Sequence, residues 1–599
     1  MPAKRPTPIW IATAVALAAA HPACEAEDHL VELVAHPPEV RQWDRFEAAA
    51  RLEHEPENPF DPDEIDLRAE LVAPDGTRHE AIGFYYQPFQ RALVGGGESL
   101  AAAGAPVWKI RFAPHRRGSW RFRLSVETPA GSGSTSWATL EVTAPRPSRH
   151  GVLRPGAPDH RYLCFDDGAP FFAVGENMAW YDRRGTYAYD DWLGKLAAQG
   201  GNYIRVWMPA WGFGLEEVER DAGGKLTAAS LGDYSRRLGQ AWQLDHVIER
   251  ARELGVYVML TIQHHGAFSE TFNARWTDSP YNRANGGPLH RPEDFFTDDA
   301  ARDLFKRRLR YLVARWGGSD ALLAWELFNE VDLTEQRDRA TLVDWHREMA
   351  REIRDHDPGR HMVTTSVTLL GEAFDIDHAL FSLPEIDLVQ FHRYGDMIGK
   401  ADFTRVLPDL VATADGFGKP VLLSEVGADS RGVAETLQND PEGIAFHDIL
   451  WSGLFSRSAG TGMGWWWDEV VDPENWYVHF RPLATLVQDV TFHDEGFAPA
   501  GITASAPGRT LAAHGLAGRT TLLGWIKNTA HQWSTGGDAT VIQGATVEIS
   551  GIADGTWTTR WIDPYGETAH PQQKLTATGG AATLKVPSFA RDIALRLRR

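Results

Sequence analysis

The chain shows two kinds of hydrophobic pattern. From about residue 31 to 142, apolar residues recur at every second position in short runs that end in Gly- and Pro-rich turns, as in IDLRAELVAPDG (65–76) and SWRFRLSVETPAG (119–131). This alternation is typical of an antiparallel β-sandwich. Residues 500–599 return to the same pattern, for example in TTLLGWIKN (520–528) and ATVEISGI (545–552), and predict a second sandwich.

Between these regions, apolar strands alternate with amphipathic helices. The pattern gives eight strand candidates, at 171–180, 201–210, 256–265, 321–332, 361–369, 387–396, 420–429 and 461–471. Eight such units predict a parallel (β/α)₈ barrel. A doubly wound sheet would also alternate, but it usually has fewer strands, and no G-x-G-x-x-G turn follows the first strand here.

The predicted fold is therefore multidomain, with a central (β/α)₈ TIM barrel flanked by N-terminal and C-terminal β-sandwich domains. The expected divisions are a signal peptide (1–26), an N-terminal β-sandwich (27–145), the barrel (146–495) and a C-terminal β-sandwich (500–599).

The N-terminus has the layout of a secretory signal. Lys4 and Arg5 precede an apolar run, 9–20, that ends in small residues. We expect export to the periplasm or the extracellular space. Cys24 allows lipid modification as an alternative, which the preceding His-Pro-Ala disfavours. No later apolar run is long enough to span a bilayer, so we expect no membrane insertion.

Composition excludes several classes of partner and site. The formal net charge is −21, from 60 Lys and Arg against 81 Asp and Glu, which disfavours nucleic acid and anionic lipid. Two cysteines cannot build a disulfide framework or a thiolate zinc site. The 23 tryptophans favour aromatic surfaces for sugar rings, although core packing also uses tryptophan. Nothing here fixes the oligomeric state.

Two glutamates stand out because each ends a strongly apolar strand. Glu330 follows the fourth strand and Glu425 the seventh. In a barrel these strand ends form the active-site face, and strands four and seven lie across from each other. Two carboxylates placed in this way suit the acid and the nucleophile of glycoside hydrolysis. The alternative is a pair of salt-bridged rim residues, with Arg205 as a partner of one of them.

The segment LAWELFNEVD (323–332) resembles the signature of glycoside hydrolase family 5, a family of retaining (β/α)₈ glycosidases. The resemblance implies that Glu330 is the acid/base and that Glu425, in LLSEVG, is the nucleophile. It also implies a set of substrate-binding residues: Arg205, His265 in preference to His264, Asn329, His392 and Tyr394 of FHRYGD, and Trp466 and Trp467 of WWWDE. The N-terminal region and GMGWWWDEVVDPENWYVHF resemble bacterial cellulase-like proteins with uncharacterised flanking domains.

The chemistry of a retaining glycosidase sets an expectation for the two carboxyl groups. Glu425 must be ionised to attack the anomeric carbon, helped by donors such as Arg205 and Tyr394. Glu330 must be protonated near neutral pH, which requires a raised pKa.

Other chemistries lack their motifs. No H-E-x-x-H occurs, and adjacent strand residues such as His264 and His265 point to opposite faces, so we expect no metal. Neither a phosphate-binding loop nor a G-x-S-x-G elbow is present, and we expect no cofactor. The predicted function is a retaining O-glycoside hydrolase acting on oligo- or polysaccharides. The alternative is an inactive carbohydrate-binding protein on the same scaffold. The long insertion 266–297 could wall off one side of the cleft and predicts exo action or short oligosaccharide substrates.

Overall fold

The computed structural model describes residues 30–368, 374–566 and 570–599, with all side chains except those of 374–377. The predicted signal peptide (1–26) and Cys24 lie outside the described residues. In the part of the chain that is described, no helix is both long enough and apolar enough to cross a bilayer.

The N-terminal domain consists of strands. They are β1 (Val31–Ala35), β2 (Glu39–Arg41), β3 (Phe46–Leu52), β4 (Asp66–Val72), β5 (Arg78–Tyr86), β6 (Phe89–Val94), β7 (Gly97–Ala102), β8 (Val107–Phe112), β9 (Gly118–Thr128), β10 (Gly131–Ser134) and β11 (Ala138–Thr143). Every second side chain of β9, from Trp120 to Val126, is buried in the core of this domain, as the alternating pattern requires. The β6–β7 hairpin pairs only with itself among the described strands.

A small three-stranded sheet joins this domain to the barrel, from β12 (Leu153–Pro155), β13 (Leu163–Phe165) and β14 (Pro170–Phe171). The barrel strands are β15 (Gly175–Asn177), β16 (Tyr203–Trp207), β19 (Tyr257–His264), β20 (Leu322–Asn329), β21 (Met362–Thr364), β22 (Val389–Tyr394) and β23 (Val421–Gly427), with a hairpin of β17 (Glu217–Arg220) and β18 (Leu226–Ser230) after β16. The helices are α1 (Thr186–Ala198), α2 (Leu238–Leu254), α3 (Asp299–Trp316), α4 (Arg339–His356), α5 (Phe374–Phe381), α6 (Phe403–Ala414), α7 (Val433–Asn439), α8 (Ile444–Phe455), α9 (Phe480–Val487) and α10 (Phe492–Glu495).

Parallel pairing runs around the whole barrel. Strands β15, β16, β19, β20 and β21 pair in that order, and β22 pairs with β23. Three parallel bridges join the remaining edges: Val367 with Phe391, Val426 with Gly464, and Gly464 with Glu176. The segment around Gly464 thus takes the eighth place, and the ring closes as in a (β/α)₈ barrel.

The eighth segment differs from the strand expected over 461–471. Its extended part ends early because Trp466 has a left-handed backbone (φ 63°), and Trp467–Val471 form a π-helix. The fifth strand is also shorter than the expected 361–369 and ends at Thr364, with one further bridge at Val367.

The C-terminal domain has two antiparallel sheets around an apolar cluster. Its strands are β24 (Ala498–Pro499), β25 (Gly501–Ser505), β26 (Leu511–Ala517), β27 (Thr521–Asn528), β28 (Thr546–Ser550), β29 (Gly555–Ile562), β30 (Gln573–Ala577), β31 (Ala581–Lys585) and β32 (Asp592–Arg598). Trp557 and Trp561 are buried in this cluster.

Buried polar contacts fasten the C-terminal domain to helix α8. The Asp592 carboxylate lies 2.8 Å from Nε2 of His447 and accepts a 2.7 Å hydrogen bond from the Trp525 indole. Lys527 forms an ion pair with Asp448, and both side chains are almost completely buried. These contacts tie a barrel helix to two strands of the domain.

Candidate active site

Arg205 is the centre of a buried network at the C-terminal end of the barrel. Its side chain is fully buried, and it donates two 2.7 Å hydrogen bonds to the carboxylate of Glu326 on β20. It also donates to Glu425 Oε2 at 3.1 Å and to Asn329 Oδ1 at 2.6 Å. A planar guanidinium can serve several acceptors at fixed angles, so Arg205 sets the positions of these groups.

A β-bulge brings Glu425 opposite His392. Along the β22–β23 pair, Phe391 lies opposite Leu423 but His392 lies opposite Glu425, so Ser424 is the extra residue. Bulges re-aim side chains and often lie beside active sites. The Ser424 hydroxyl lies 3.0 Å from Nε2 of His392 and helps to fix the imidazole.

Glu330 directly follows β20 and has a left-handed backbone, with φ 51° and ψ 53°. Such a conformation costs a non-glycine residue free energy, and it occurs preferentially at functional sites. The backbone N–H of Glu330 donates to the Ser366 hydroxyl at 3.1 Å, which helps to hold the turn. Glu330 is 8% exposed and Glu425 is 6% exposed, so both residues are buried.

His392 lies between the two glutamates. Its Nδ1 is 2.9 Å from Glu330 Oε1 and 3.6 Å from Glu425 Oε2. One ligand atom from each of Glu330, His392 and Glu425 lies within 4.8 Å of the others. The two carboxylates therefore face each other across a gap of a few ångströms.

The pKa values of the two glutamates shift in opposite directions. Burial raises the pKa of Glu330, but hydrogen bonding and the charges of His392, with His265 and Arg205, outweigh it and lower the pKa to about 2. Burial raises the pKa of Glu425, opposed by the charge of His392, and the negative charge of Glu330 raises it further. The sequence led us to expect a protonated Glu330 and an ionised Glu425, so the order of the two pKa shifts is the reverse of the expected one. The reason is the contact with His392, which lies nearer to Glu330 and lowers the pKa of that carboxyl more effectively.

The other predicted site residues gather around this pair. The Tyr394 hydroxyl donates to Glu425 Oε1 at 2.6 Å. His265 Nδ1 lies 3.3 Å from Glu330 Oε2, and its Nε2 lies 2.9 Å from Asn273 Oδ1. His264 instead packs beside Trp207 and Trp211, with ring centroids 6.3 and 5.3 Å away.

The predicted tryptophans differ from one another. Trp466 is half-buried, and its indole N–H donates to the Asp429 carbonyl at 3.3 Å. Trp467 is only 1% exposed and packs against Trp180 and Trp192, so it cannot offer a face to a substrate, contrary to its predicted role. The cause is the π-helix that begins at Trp467 and turns this residue into the core.

Glu326 and Ser424 contribute to the site although their sequence positions were not singled out. Glu326 is fully buried, accepts from the Thr261 hydroxyl at 2.7 Å and has a lowered pKa because the attraction of Arg205 outweighs burial. The available signal was a charge inside an apolar strand, which must be paired.

The three ligand atoms of Glu330, His392 and Glu425 are the one group of this kind that could hold a metal ion among the described residues. Arg205 lies 3.1 Å from Glu425 and is a fixed positive charge beside that position. This donor set therefore fits poorly with a cation, and the geometry serves proton transfer and charge stabilisation instead.

Comparison with known proteins gives two family matches. The model described as Cellulase (glycosyl hydrolase family 5) matches residues 165–466, and the one described as Domain of unknown function (DUF5060) matches residues 39–127. The first match spans about half of the chain.

Curated relatives and a solved structure agree with the first match. Mannan endo-1,4-beta-mannosidase 1 of Oryza sativa subsp. japonica is 25% identical over 343 residues, which are 50% of this chain and 75% of the relative. Mannan endo-1,4-beta-mannosidase A of Aspergillus aculeatus is 26% identical over 391 residues, 59% of this chain and 95% of the relative. The crystal structure of a presumed glycoside hydrolase from Bacteroides vulgatus ATCC 8482 has a TM-score of 0.62 at 18% identity, with 94% of this chain and 100% of that chain covered; it shows likeness of fold.

Proposed function

The chain belongs to glycosyl hydrolase family 5, and from this premise we propose that it hydrolyses β-1,4-linked mannan or its oligosaccharides by a retaining double displacement. In this proposal Glu425 is the nucleophile and Glu330 the general acid and base. The family match carries the glycoside hydrolase activity itself, and the names of the relatives supply the sugar.

The separation of the carboxylates carries the retaining mechanism. Retaining glycosidases hold their two carboxyl groups about 5 to 5.5 Å apart, whereas inverting enzymes need about 6.5 to 9.5 Å to seat a water molecule. One oxygen of Glu330 and one oxygen of Glu425 lie within 4.8 Å of each other. This short distance is closer to the retaining arrangement than to the inverting one, so it supports attack by Glu425 on the anomeric carbon.

The surroundings of Glu425 suit a nucleophile. Arg205 donates to Oε2 and Tyr394 to Oε1, and both contacts favour the ionised carboxylate against the effect of burial. When one of these oxygens bonds to the anomeric carbon, the carboxylate loses its negative charge. The donor to that oxygen then no longer faces an anion.

A general acid must carry a proton, and the titratable side chain in closest contact with Glu330 is that of His392. Its Nδ1 lies 2.9 Å from Glu330 Oε1, within reach of direct transfer. Burial raises the pKa of Glu330, and the negative charge of an ionised Glu425 also favours the protonated acid. We infer that a proton exchanged through the His392 contact prepares Glu330 to protonate the leaving oxygen. Water then attacks the glycosyl-enzyme with Glu330 as the base.

An inactive carbohydrate-binding protein is the competing function. A binding site gains nothing from two carboxylates held this close, because one of them must give up its charge or be paired at a cost. Hydrolysis of β-mannan, cellulose and the matching aryl glycosides distinguishes the two functions. Binding of these glycans without any turnover would favour the competing one.

The mode of attack stays a prediction. The insertion 266–297 packs Phe268, Tyr281 and Phe295 into the core and presents Arg275 over the Trp211 ring at 4.3 Å, which supports the predicted wall beside the cleft. The curated relatives carry names of endo-acting enzymes. Product analysis decides, because an early ladder of intermediate oligosaccharides would contradict exo action. We also propose that the enzyme is exported. In the same proposal, the two flanking domains are β-sandwiches that support the barrel.

A further inference from the structure

We propose that the β6–β7 hairpin of the N-terminal domain is part of the substrate-binding apparatus, with Glu98 as a positioning residue for the loop that carries Trp180. The hairpin lies within residues 39–127, which match a family of unknown function. The inference rests on the proposed function, because Trp180 belongs to a cluster beside the candidate active site. It gives the N-terminal domain a role in substrate binding in addition to supporting the barrel.

Helix α1 has no N-terminal cap of its own. Its N-cap residue is Gly185, no side chain of the helix caps it, and the first turn has no acidic residue. Helix N-termini present free N–H groups and partial positive charge, which a carboxylate satisfies. Glu98 supplies this carboxylate from another domain: Oε2 accepts from the Thr186 N–H at 3.0 Å, and Oε1 accepts from the Thr186 hydroxyl.

Gly185 lacks a side chain and so leaves room for the Glu98 carboxylate. A Cβ atom there would lie 2.0 Å from Glu98 Oε2, and the residue has φ 62°, where L side chains are rare. A backbone hydrogen bond joins the same two segments: the Glu98 N–H donates to the Arg183 carbonyl at 3.1 Å. On the other strand of the hairpin, Arg91 donates to the Thr186 hydroxyl and to Asp190, each at 2.7 Å.

A second chain of hydrogen bonds runs from Glu98 into the loop between β15 and α1. Gln243 of α2 donates to Glu98 Oε2 at 2.5 Å and accepts from the Tyr181 hydroxyl at 3.2 Å. Tyr181 directly follows Trp180. Glu98 therefore holds both the end of this loop and the residue next to its tryptophan.

Trp180 is the centre of an aromatic cluster at the active-site end of the barrel. Its ring centroid lies 5.0 to 5.7 Å from those of four other tryptophans: Trp207, Trp211, Trp465 and Trp467. The Trp207 ring in turn lies 5.1 Å from the Arg205 guanidinium. Trp180 and Trp465 are half-buried and Trp211 is 37% exposed, so part of the cluster faces outward. Such faces suit the apolar side of a pyranose ring. We infer that a sugar unit of the bound chain packs here.

The test compares Glu98→Ala, Glu98→Gln, Trp180→Ala and the double variant Glu98→Ala/Trp180→Ala in the full chain. Steady-state kinetics use mannohexaose, which reaches beyond the bond that is cleaved, and 4-nitrophenyl β-mannoside, which does not. We expect Glu98→Ala to raise KM for mannohexaose about fivefold or more, with kcat within about twofold, because uniform binding is lost. Glu98→Gln keeps an acceptor oxygen and should give a smaller increase.

The double variant separates positioning from general damage. If Glu98 acts through Trp180, Glu98→Ala adds little to the KM of Trp180→Ala, whereas independent effects multiply. Glu141→Ala is the matched control, because Glu141 is an exposed glutamate on β11 of the same domain. Effects that multiply fully, or a Glu98→Ala enzyme identical to Glu141→Ala, would overturn the inference.

A binding measurement keeps this test independent of turnover. In calorimetric titration, mannohexaose should bind the variant Glu425→Gln/Glu98→Ala more weakly than Glu425→Gln alone. The loss of affinity should match the rise in KM. If the wild-type enzyme hydrolyses no glycan, the proposed function fails and the calorimetry still decides the role of Glu98. Equal affinities in this pair would reject the positioning role even in an active enzyme. If Glu98→Ala does not fold, Glu98→Gln takes its place, with a smaller loss of affinity expected.

Discussion

The Tyr394 hydroxyl donates a 2.6 Å hydrogen bond to Oε1 of Glu425, and both side chains are buried. This bond is one of the contacts that lower the pKa of Glu425 against burial. Tyr394→Phe removes it, so the pKa of Glu425 should rise. Because the nucleophile must be ionised, the acidic limb of the kcat/KM profile should move to higher pH, and kcat/KM should fall about 10-fold or more.

The check is a pH–rate profile of both enzymes on one substrate. Tyr257→Phe is a suitable control, because Tyr257 is also a buried barrel tyrosine but lies at the opposite end of its strand. An acidic limb that stays in place, or moves to lower pH, would contradict the assignment of this limb to Glu425.

The roles of the two glutamates can be separated with azide. Glu330→Ala should still form the glycosyl-enzyme from substrates with good leaving groups and then stall for lack of a base. Azide needs no base, so it should rescue this variant and give a glycosyl azide of unchanged configuration.

Azide added to Glu425→Ala should instead attack from the side that the carboxylate has vacated. The product should then have the opposite anomeric configuration. NMR of both azide products reads the two outcomes directly. A swapped pair of configurations would show that Glu425 is the acid/base and Glu330 the nucleophile, as the order of pKa values in the empty site would allow.

The buried pair of Arg205 and Glu326 should be important for stability. Arg205→Met leaves Glu326 and Glu425 buried without their cation, which should cost about 3 to 5 kcal/mol in the free energy of unfolding. Arg51→Met removes an exposed ion pair with Glu32 and should cost about 1 kcal/mol or less. Urea unfolding of both variants measures the difference, and similar losses for the two would refute this role.

Acid should destabilise the fold through buried histidines. Burial lowers the pKa of His346 to about 4, against its hydrogen bond to the Leu342 carbonyl. Because the folded pKa lies below the unfolded value near 6.5, His346 adds its full stability above pH 6.5 and loses it as the pH falls toward 4. This contribution is about 3 kcal/mol.

The measurement is the free energy of unfolding at several values of pH between 7 and 4. His346→Gln should show a smaller decrease over this range than the wild type, whereas substitution of the exposed His160 should leave the decrease unchanged. An equal decrease in all three proteins would assign acid lability to other groups.

The positions of Glu330 and Glu425 could be predicted because a charge at the end of an apolar strand is costly unless it is used or paired. Periodicity also separated the barrel from its flanking domains. Sequence alone could not decide between His264 and His265: His264 is the last residue of β19, and His265 reaches Glu330 from the first position of a short 3-10 helix.

What could not be predicted depends on long-range pairing and on irregular backbone. The bulge at Ser424 follows from its register with β22, and the π-helix that buries Trp467 follows from a left-handed turn at Trp466. The partnership of Arg205 with Glu326 joins residues 121 positions apart. The contact of Glu98 with α1 joins two domains, and the hydrophobic pattern within each domain does not indicate contacts between them.

Because of the buried contacts between helix α8 and the C-terminal domain, we expect that the barrel cannot simply be moved into another protein without that domain. A chain cut after residue 495 would leave Asp448 without Lys527 and His447 without Asp592, and would expose the apolar surface that now covers Trp525. Apolar surface that its partner no longer covers favours aggregation. We therefore expect the gene segment for the barrel alone to encode a poorly behaved protein, and recombination that exchanges these domains should carry helix α8 together with its partner strands.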